Sequence, residues 1–152
     1  MARLVALDAG PTGALSGSPT RPLSVRALAW LDRIEMAGSI VLLPEIAVYE
    51  VGRELKRLGA TASLRRLDDL RRRLSYLPIT TSAMELAADL WADVRRRGVP
   101  TASPDSLDAD CILAAQALCA AGAGDVLTIA TTNPAHLGRF PGIDARIWDT
   151  IA

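Results

Sequence analysis

An α/β fold, with parallel strands in a sheet covered by helices, is predicted by three features of the sequence. Short apolar runs alternate along the chain with longer stretches of helical periodicity. The runs are continuously apolar instead of alternating, the pattern of strands buried on both faces. Successive runs are joined by helical stretches, which makes each pair a βαβ unit. The 152 residues fit one domain, taken as residues 1–152, since domains typically run to about 100–200 residues.

The elements follow in order. Leu4–Leu7 is the first strand and ends at Asp8. Gly10–Thr20, rich in Gly, Pro and Ser, reads as a loop. Leu23–Ala37 is helical, with Leu28, Leu31 and Ile34 in register, and Gly38 breaks it. Ser39–Leu43 is the second strand. Pro44 suits the first turn of the next helix, which runs to about Leu58 with Val48, Val51, Leu55 and Leu58 as its apolar stripe. Ala62–Ser75 is helical through Leu64, Leu67, Leu70 and Leu74, and Tyr76–Ile79 is a weaker strand. Ser82 and Glu85 form a capping box for a helix to Arg97, stopped by Gly98. A loop from Val99 to Pro104 precedes a helix, Asp105–Ala121, opened by Ser or Asp caps. Val126–Ala130 is a strand followed at once by Thr131, Thr132 and Asn133, and a last strand lies near Ala145–Trp148.

Composition excludes several classes. Hydrophobic residues at 50% rule out intrinsic disorder. Seventeen basic and seventeen acidic residues balance, so a strongly basic protein coating duplex DNA is not expected. No apolar run reaches the ~18 residues of a membrane span, and no secretory signal precedes Asp8, so the expected location is the cytoplasm. Cys111 and Cys119 share one helix, ~12 Å apart along its axis, and form no disulfide framework. With His136 as the one histidine, a structural zinc site is nearly excluded.

The acids fall where an α/β site forms, outside the carboxyl ends of the strands. Asp8 ends the first strand, Glu50 lies on the helix after the second, and Asp108 and Asp110 lie early in the helix that leads into the fourth. Each also has a plain structural reading. Asp8 suits a turn cap, Glu50 a solvated helix face, and Asp105, Asp108 and Asp110 a helix dipole. Glu50 and Glu54 are a like-charge i,i+4 pair, relieved by Arg53 and Arg57 or, at Glu50, by a bound cation. Asp110 borders the apolar run Cys111–Ala115 and so lies at the edge of the core. Together the acids suggest a hard-cation site for Mg²⁺ or Mn²⁺, which suits phosphodiester hydrolysis.

The same residues carry a family resemblance. LVALDAG at Leu4–Gly10, PEIAVYEVGRELKR at Pro44–Arg57, LDADCILAAQAL at Leu107–Leu118 and TTNPAHLGRF at Thr131–Phe140 resemble, in order and spacing, the four motifs of PIN-domain ribonucleases. The VapC-type toxins of toxin–antitoxin pairs belong to that family. The resemblance implies a three-layer α/β/α sandwich with a mainly parallel, Rossmann-like sheet and metal-dependent cleavage of RNA. It implies Asp8, Glu50 and Asp110 as the acids holding Mg²⁺ or Mn²⁺, with Asp108 an additional candidate ligand. Two residues apart on a helix lie ~200° apart, so Asp108 and Asp110 need not face one ion. Thr131 matches a hydroxyl near the phosphate or a bound water. Asn133 stands at a position that is often Asp, which leaves the number of ions open. Arg53, Arg57 and Arg139, with the runs Arg71–Arg73 and Arg95–Arg97, are candidates for phosphate contacts, against a solvated-face reading of each. With one Phe, two Tyr and three Trp, an aromatic stacking platform is not indicated.

An antitoxin protein and a homodimer are the partners the resemblance implies. The Leu64, Leu67, Leu70 and Leu74 stripe, with Leu23 and Leu28, offers a two-fold interface unless it packs inside one subunit. The competing functions are a non-catalytic PIN-like module and a phosphate-binding module. Gly10, Gly13 and Gly17 match no phosphate-loop motif, and a receiver-like domain lacks its lysine, since Lys56 is the chain's one lysine.

Overall fold

A computed structural model describes residues 1–98 and 104–152. Five strands, β1 (Arg3–Leu7), β2 (Ile40–Pro44), β3 (Ser75–Leu77), β4 (Val126–Thr131) and β5 (Asp144–Ile147), form one sheet in the order β3-β2-β1-β4-β5. All four pairings are parallel. The helices are α1 (Ala9–Ser16), α2 (Pro22–Met36), α3 (Glu45–Arg57), α4 (Thr61–Arg73), α5 (Thr81–Arg97), α6 (Pro104–Ala120) and α7 (Pro134–Leu137). A 3-10 turn, Trp148–Thr150, follows β5.

Successive strand side chains point to opposite faces, and the core divides accordingly. Leu4 and Ala6 of β1, Leu42 of β2 and Ile129 of β4 pack with α5 and α6. Val5 and Leu7, Val41 and Leu43, and Ala130 pack on the other face with α1, α2 and α4. Two cores on one sheet make the α/β/α sandwich the sequence implies. Among the described residues, no helix is long and apolar enough to cross a membrane.

Several expectations are corrected. The stretch read as a loop from Gly10 holds α1, because Asp8 caps its first turn and Pro11 falls where a missing N–H costs nothing. Pro44 ends β2 and stands at the N-cap position of α3, without a side-chain hydrogen bond, instead of entering its first turn. The fully buried residues of α3 are Ile46, Ala47 and Gly52; of the expected stripe, Val48, Val51 and Leu55 are half-buried, Val48 against the core, and Leu58 lies exposed. Thr80, whose hydroxyl accepts from the Ala83 N–H at 3.1 Å, caps α5 in place of Ser82. Gly98 does stop α5, with φ of 63° in the left-handed region. Of the leucine stripe expected on α4, Leu67, Leu70 and Leu74 are buried within the subunit, whereas Leu64 is half-buried at a groove against α3 and Leu23 on α2 is exposed. The loop expected from Val99, and the cap expected before α6, lie outside the described residues.

Two buried contacts tie the layers together, the first at the sheet's carboxyl edge and the second towards its amino edge, where Arg3 and Ala152 meet. Gln116 of α6, almost fully buried, accepts from the Ile46 N–H at 3.2 Å and donates to the Leu77 carbonyl at 2.7 Å. It thereby ties the start of α3 and the end of β3 to α6. Trp30 donates to the Ile151 carbonyl at 3.0 Å and meets Trp148 edge-on at 5.3 Å, pinning the end of the chain to α2.

Candidate active site

The strand order reverses between β1 and β4, and open α/β sheets bind ligands at the carboxyl end of such a switch point. Asp8 and Thr131 stand there. The Asp8 N–H donates to the Ala130 carbonyl at 2.9 Å, extending the ladder one residue past β1. Asp8 Oδ1 accepts from the Ala9 N–H at 2.7 Å, as the cap of α1. Its Oδ2 accepts from the Thr131 hydroxyl at 2.7 Å. Thr131 Oγ1 in turn accepts from the Asn133 N–H at 3.1 Å, so its one proton is directed at Asp8. Gly10 permits this closeness: a Cβ there would fall 2.6 Å from Thr132 Cγ2 and push that loop away.

Glu50 and Asp110 bring the second and third acids from α3 and α6. Glu50 holds its proton more tightly than a free carboxylate because of burial, then the charges of Asp8 and Asp110; Arg53 opposes this. Burial, and then Asp8, push Asp110 up to about 6, against the pull of Arg139. Glu54, expected on the solvated face, is there: it pairs with Arg57, which holds its carboxyl below the ordinary value. The structure therefore brings Asp8, Glu50, Asp110 and Thr131 together from four separate segments.

It does not bring Asp108 to them. Asp108 is exposed and lines a groove between α5 and α6 with Trp91 and Cys111, on the face of α6 turned from Asp110. The Asn133 amide lies in contact with His136 Nε2 at 3.2 Å, so this residue reaches the site through its backbone N–H. Among the described residues, no group of three or more His, Cys, Asp and Glu side chains is drawn tightly enough to hold a metal ion as they stand.

Arg139 is the residue whose place the sequence did not reveal. Its guanidinium, 7% exposed, lies 3.3 Å from Asp110 Oδ2 and over the Phe140 ring. It is a partner of an acid, not a free phosphate contact. The other arginine candidates divide. Arg57, Arg72, Arg73 and Arg97 are committed to carboxylates, Arg53 and Arg95 lie over aromatic rings, Arg71 does both, and Arg96 is exposed.

A parallel five-stranded sandwich with acids from three segments at its switch point defines a class of α/β protein, and the comparisons place the chain within it. Residues 18–131 match the PIN domain model, and the chain belongs to the PIN domain family. Among solved structures, the crystal structure of VapBC2 from Rickettsia felis bound to a DNA fragment from their promoter contains a chain that matches with TM-score 0.66 and 12% identity. The match covers 94% of this chain and 97% of that one. DNA-bound VapBC from Salmonella typhimurium matches with TM-score 0.66 and 20% identity, covering 97% and 99%. FitAcB from Neisseria gonorrhoeae matches with TM-score 0.55 and 22% identity, covering 88% and 91%. At these identities the likeness is one of fold. No curated protein matches the chain in sequence.

Proposed function

We propose that this PIN domain, spanning residues 1–152, is a metal-dependent endoribonuclease that hydrolyses RNA phosphodiester bonds. We further assign it as the toxin of a toxin–antitoxin pair, acting in the cytoplasm as a homodimer. One observation carries the nuclease reading. Asp8, Glu50 and Asp110, from three separate segments, stand at the carboxyl end of the switch point, where burial first and then the charge of Asp8 raise the proton affinity of the other two. Acids crowded at a cost to their ionisation are groups that a cation relieves.

Asp8, Glu50 and Asp110 are the residues to hold Mg²⁺ or Mn²⁺, directly or through water, since hard cations of this kind take oxygen donors. When bound, such an ion supplies charge against the scissile phosphate and a water acidic enough to attack it. The protein's own part is orientation. Thr131 and the Ala9 N–H fix both oxygens of Asp8. The Asn133 N–H fixes Thr131, and Gln116 fixes the start of the helix bearing Glu50. Arg139 holds Asp110. No histidine base enters, since His136 faces the Asn133 amide.

The toxin reading is supported by the family and by VapBC and FitAcB among the fold matches. Its partner would be an antitoxin protein encoded beside this chain. A non-catalytic module is favoured by one feature, the absence among the described residues of a ready-made metal cluster. Cleavage of single-stranded RNA separates the two. The nuclease requires Mg²⁺ or Mn²⁺, stops in chelator and is lost in Asp8→Asn. Full cleavage after exhaustive metal removal, or none with either ion, defeats this reading.

A further inference from the structure

A groove of about 490 Å³ lies between α3 and α4 and begins at Tyr49, the chain neighbour of Glu50. Both tyrosines of the chain and its one lysine line it: Tyr49, Tyr76 and Lys56. Each tyrosine ring carries a guanidinium, Arg53 at 5.2 Å from the Tyr49 centroid and Arg71 at 4.6 Å from that of Tyr76. Tyr49 is 57% exposed although it is aromatic and adjoins a candidate acid. Arg53 lies between groove and acids, close enough to act on the Glu50 carboxyl.

The charge on the groove favours an anion. Arg53, Lys56 and Arg71 face two acids, and both acids are already engaged. Glu45 accepts from the Ile79 N–H at 2.7 Å, and Asp68 pairs with Arg72 and, at 3.9 Å, with Arg71. Planar ring–guanidinium stacks beside a cationic stem suit unpaired nucleobases and phosphates. Its aliphatic lining, Val48, Leu64 and Leu67, is half-buried or buried, whereas a peptide helix would call for a row of exposed aliphatic anchors.

We propose that this groove is the path of single-stranded RNA beside the cleavage point. One base stacks on the Tyr49–Arg53 pair, a second on Tyr76–Arg71, and Lys56 meets a backbone phosphate; the two tyrosines thus form a stacking site that the small number of aromatic residues did not lead one to expect. The proposal rests on the ribonuclease reading of the acids and adds where the substrate lies.

Steady-state cleavage of a single-stranded oligonucleotide in Mg²⁺ or Mn²⁺ tests it. Stacking on an aromatic residue is worth enough that Tyr49→Ala should raise KM roughly tenfold, with kcat changed less than about twofold. Arg71→Ala should raise KM in the same direction, and Tyr49→Phe, which keeps the ring, should restore most of the wild-type KM. Thermal unfolding checks that each variant is folded. An unchanged KM in a folded Tyr49→Ala, Arg71→Ala double variant overturns the proposal, and so does a groove needed only to bind the protein encoded beside this chain. Should the wild type cleave no RNA with either metal, the ribonuclease reading fails by itself. The groove is then read from fluorescence anisotropy of labelled single-stranded RNA, where loss of binding in Tyr49→Ala supports it and wild-type binding overturns it.

Discussion

At the scale of single residues, the acids differ in what their surroundings ask of them. Asp8 has both oxygens engaged by neutral donors, Ala9 N–H and Thr131 O–H, so Asp8→Asn changes charge with little change of volume. Cleavage should fall to background while the unfolding midpoint stays close to wild type. Glu54→Gln, on the solvated face of α3, should cleave at the wild-type rate; the reverse pattern would move the site elsewhere. Asp110 is the opposite case. Its pKa rises from 3.8 unfolded to about 6 folded, so between those values the folded chain binds more protons than the unfolded one. Stability from this group is full below the unfolded pKa and falls as pH rises through the folded one, by about 3 kcal/mol at most. Asp110→Asn has no such proton to lose. In metal-free buffer its stability relative to wild type should therefore increase from pH 4 to pH 7, read from urea midpoints. A flat difference would show that Asp110 is not buried against Asp8 as described.

At the scale of elements, the sequence was most legible where periodicity is long and least legible where one contact decides. The strands near Leu4, Val41 and Val126 and the helices α2, α4, α5 and α6 follow from apolar runs and helical spacing. The helix α1 was hidden because Gly10, Pro11 and Gly13 read as breakers, whereas a side-chain cap and buried Thr12 and Leu15 hold it. The face of α3 was only partly legible: apolar count favoured Val48, Val51, Leu55 and Leu58, of which the first three are half-buried and Leu58 is exposed. The helix in fact buries Gly52, against which Leu67 of α4 packs. The three acids were legible as strand-end and core-edge residues, but the pairing of Arg139 with Asp110 joins α6 to the chain after α7 and leaves no local pattern. Gln116 is a similar case, a polar residue inside the apolar run of α6 that satisfies two buried backbone groups. Gln116→Leu should strand the Ile46 N–H and the Leu77 carbonyl and cost roughly 2–5 kcal/mol. Because Ile46 begins the helix that bears Glu50, cleavage per folded molecule should fall as well. Urea denaturation with an activity assay on the folded fraction measures both; loss of stability with undiminished activity would show that α3 holds its place without this tie.

At the scale of the whole molecule, the order β3-β2-β1-β4-β5 explains why residues so far apart in sequence lie together. The reversal at β1 and β4 opens one gap at the carboxyl edge, and α1, α3 and α6 all begin beside it. Asp8, Glu50 and Asp110 therefore meet without any one segment carrying the site. The arrangement concentrates negative charge that folding alone does not relieve, since Arg139 is the one ion-pair partner these acids show among the described residues. A divalent cation bound only by the folded protein must then stabilise it by mass action. At a hundredfold excess over its dissociation constant the gain is about 2.7 kcal/mol, or roughly 5–10 °C in Tm for a chain of this size. Mn²⁺ or Mg²⁺ should raise the wild-type Tm by that order, and chelator should reverse the shift. Asp8→Asn should lose most of the rise and Glu54→Gln should keep it. Because the readout is unfolding, it needs no knowledge of the RNA that is cut. An equal rise in Asp8→Asn and the wild type would place the cation away from the switch point, and with it the chemistry assigned to these acids.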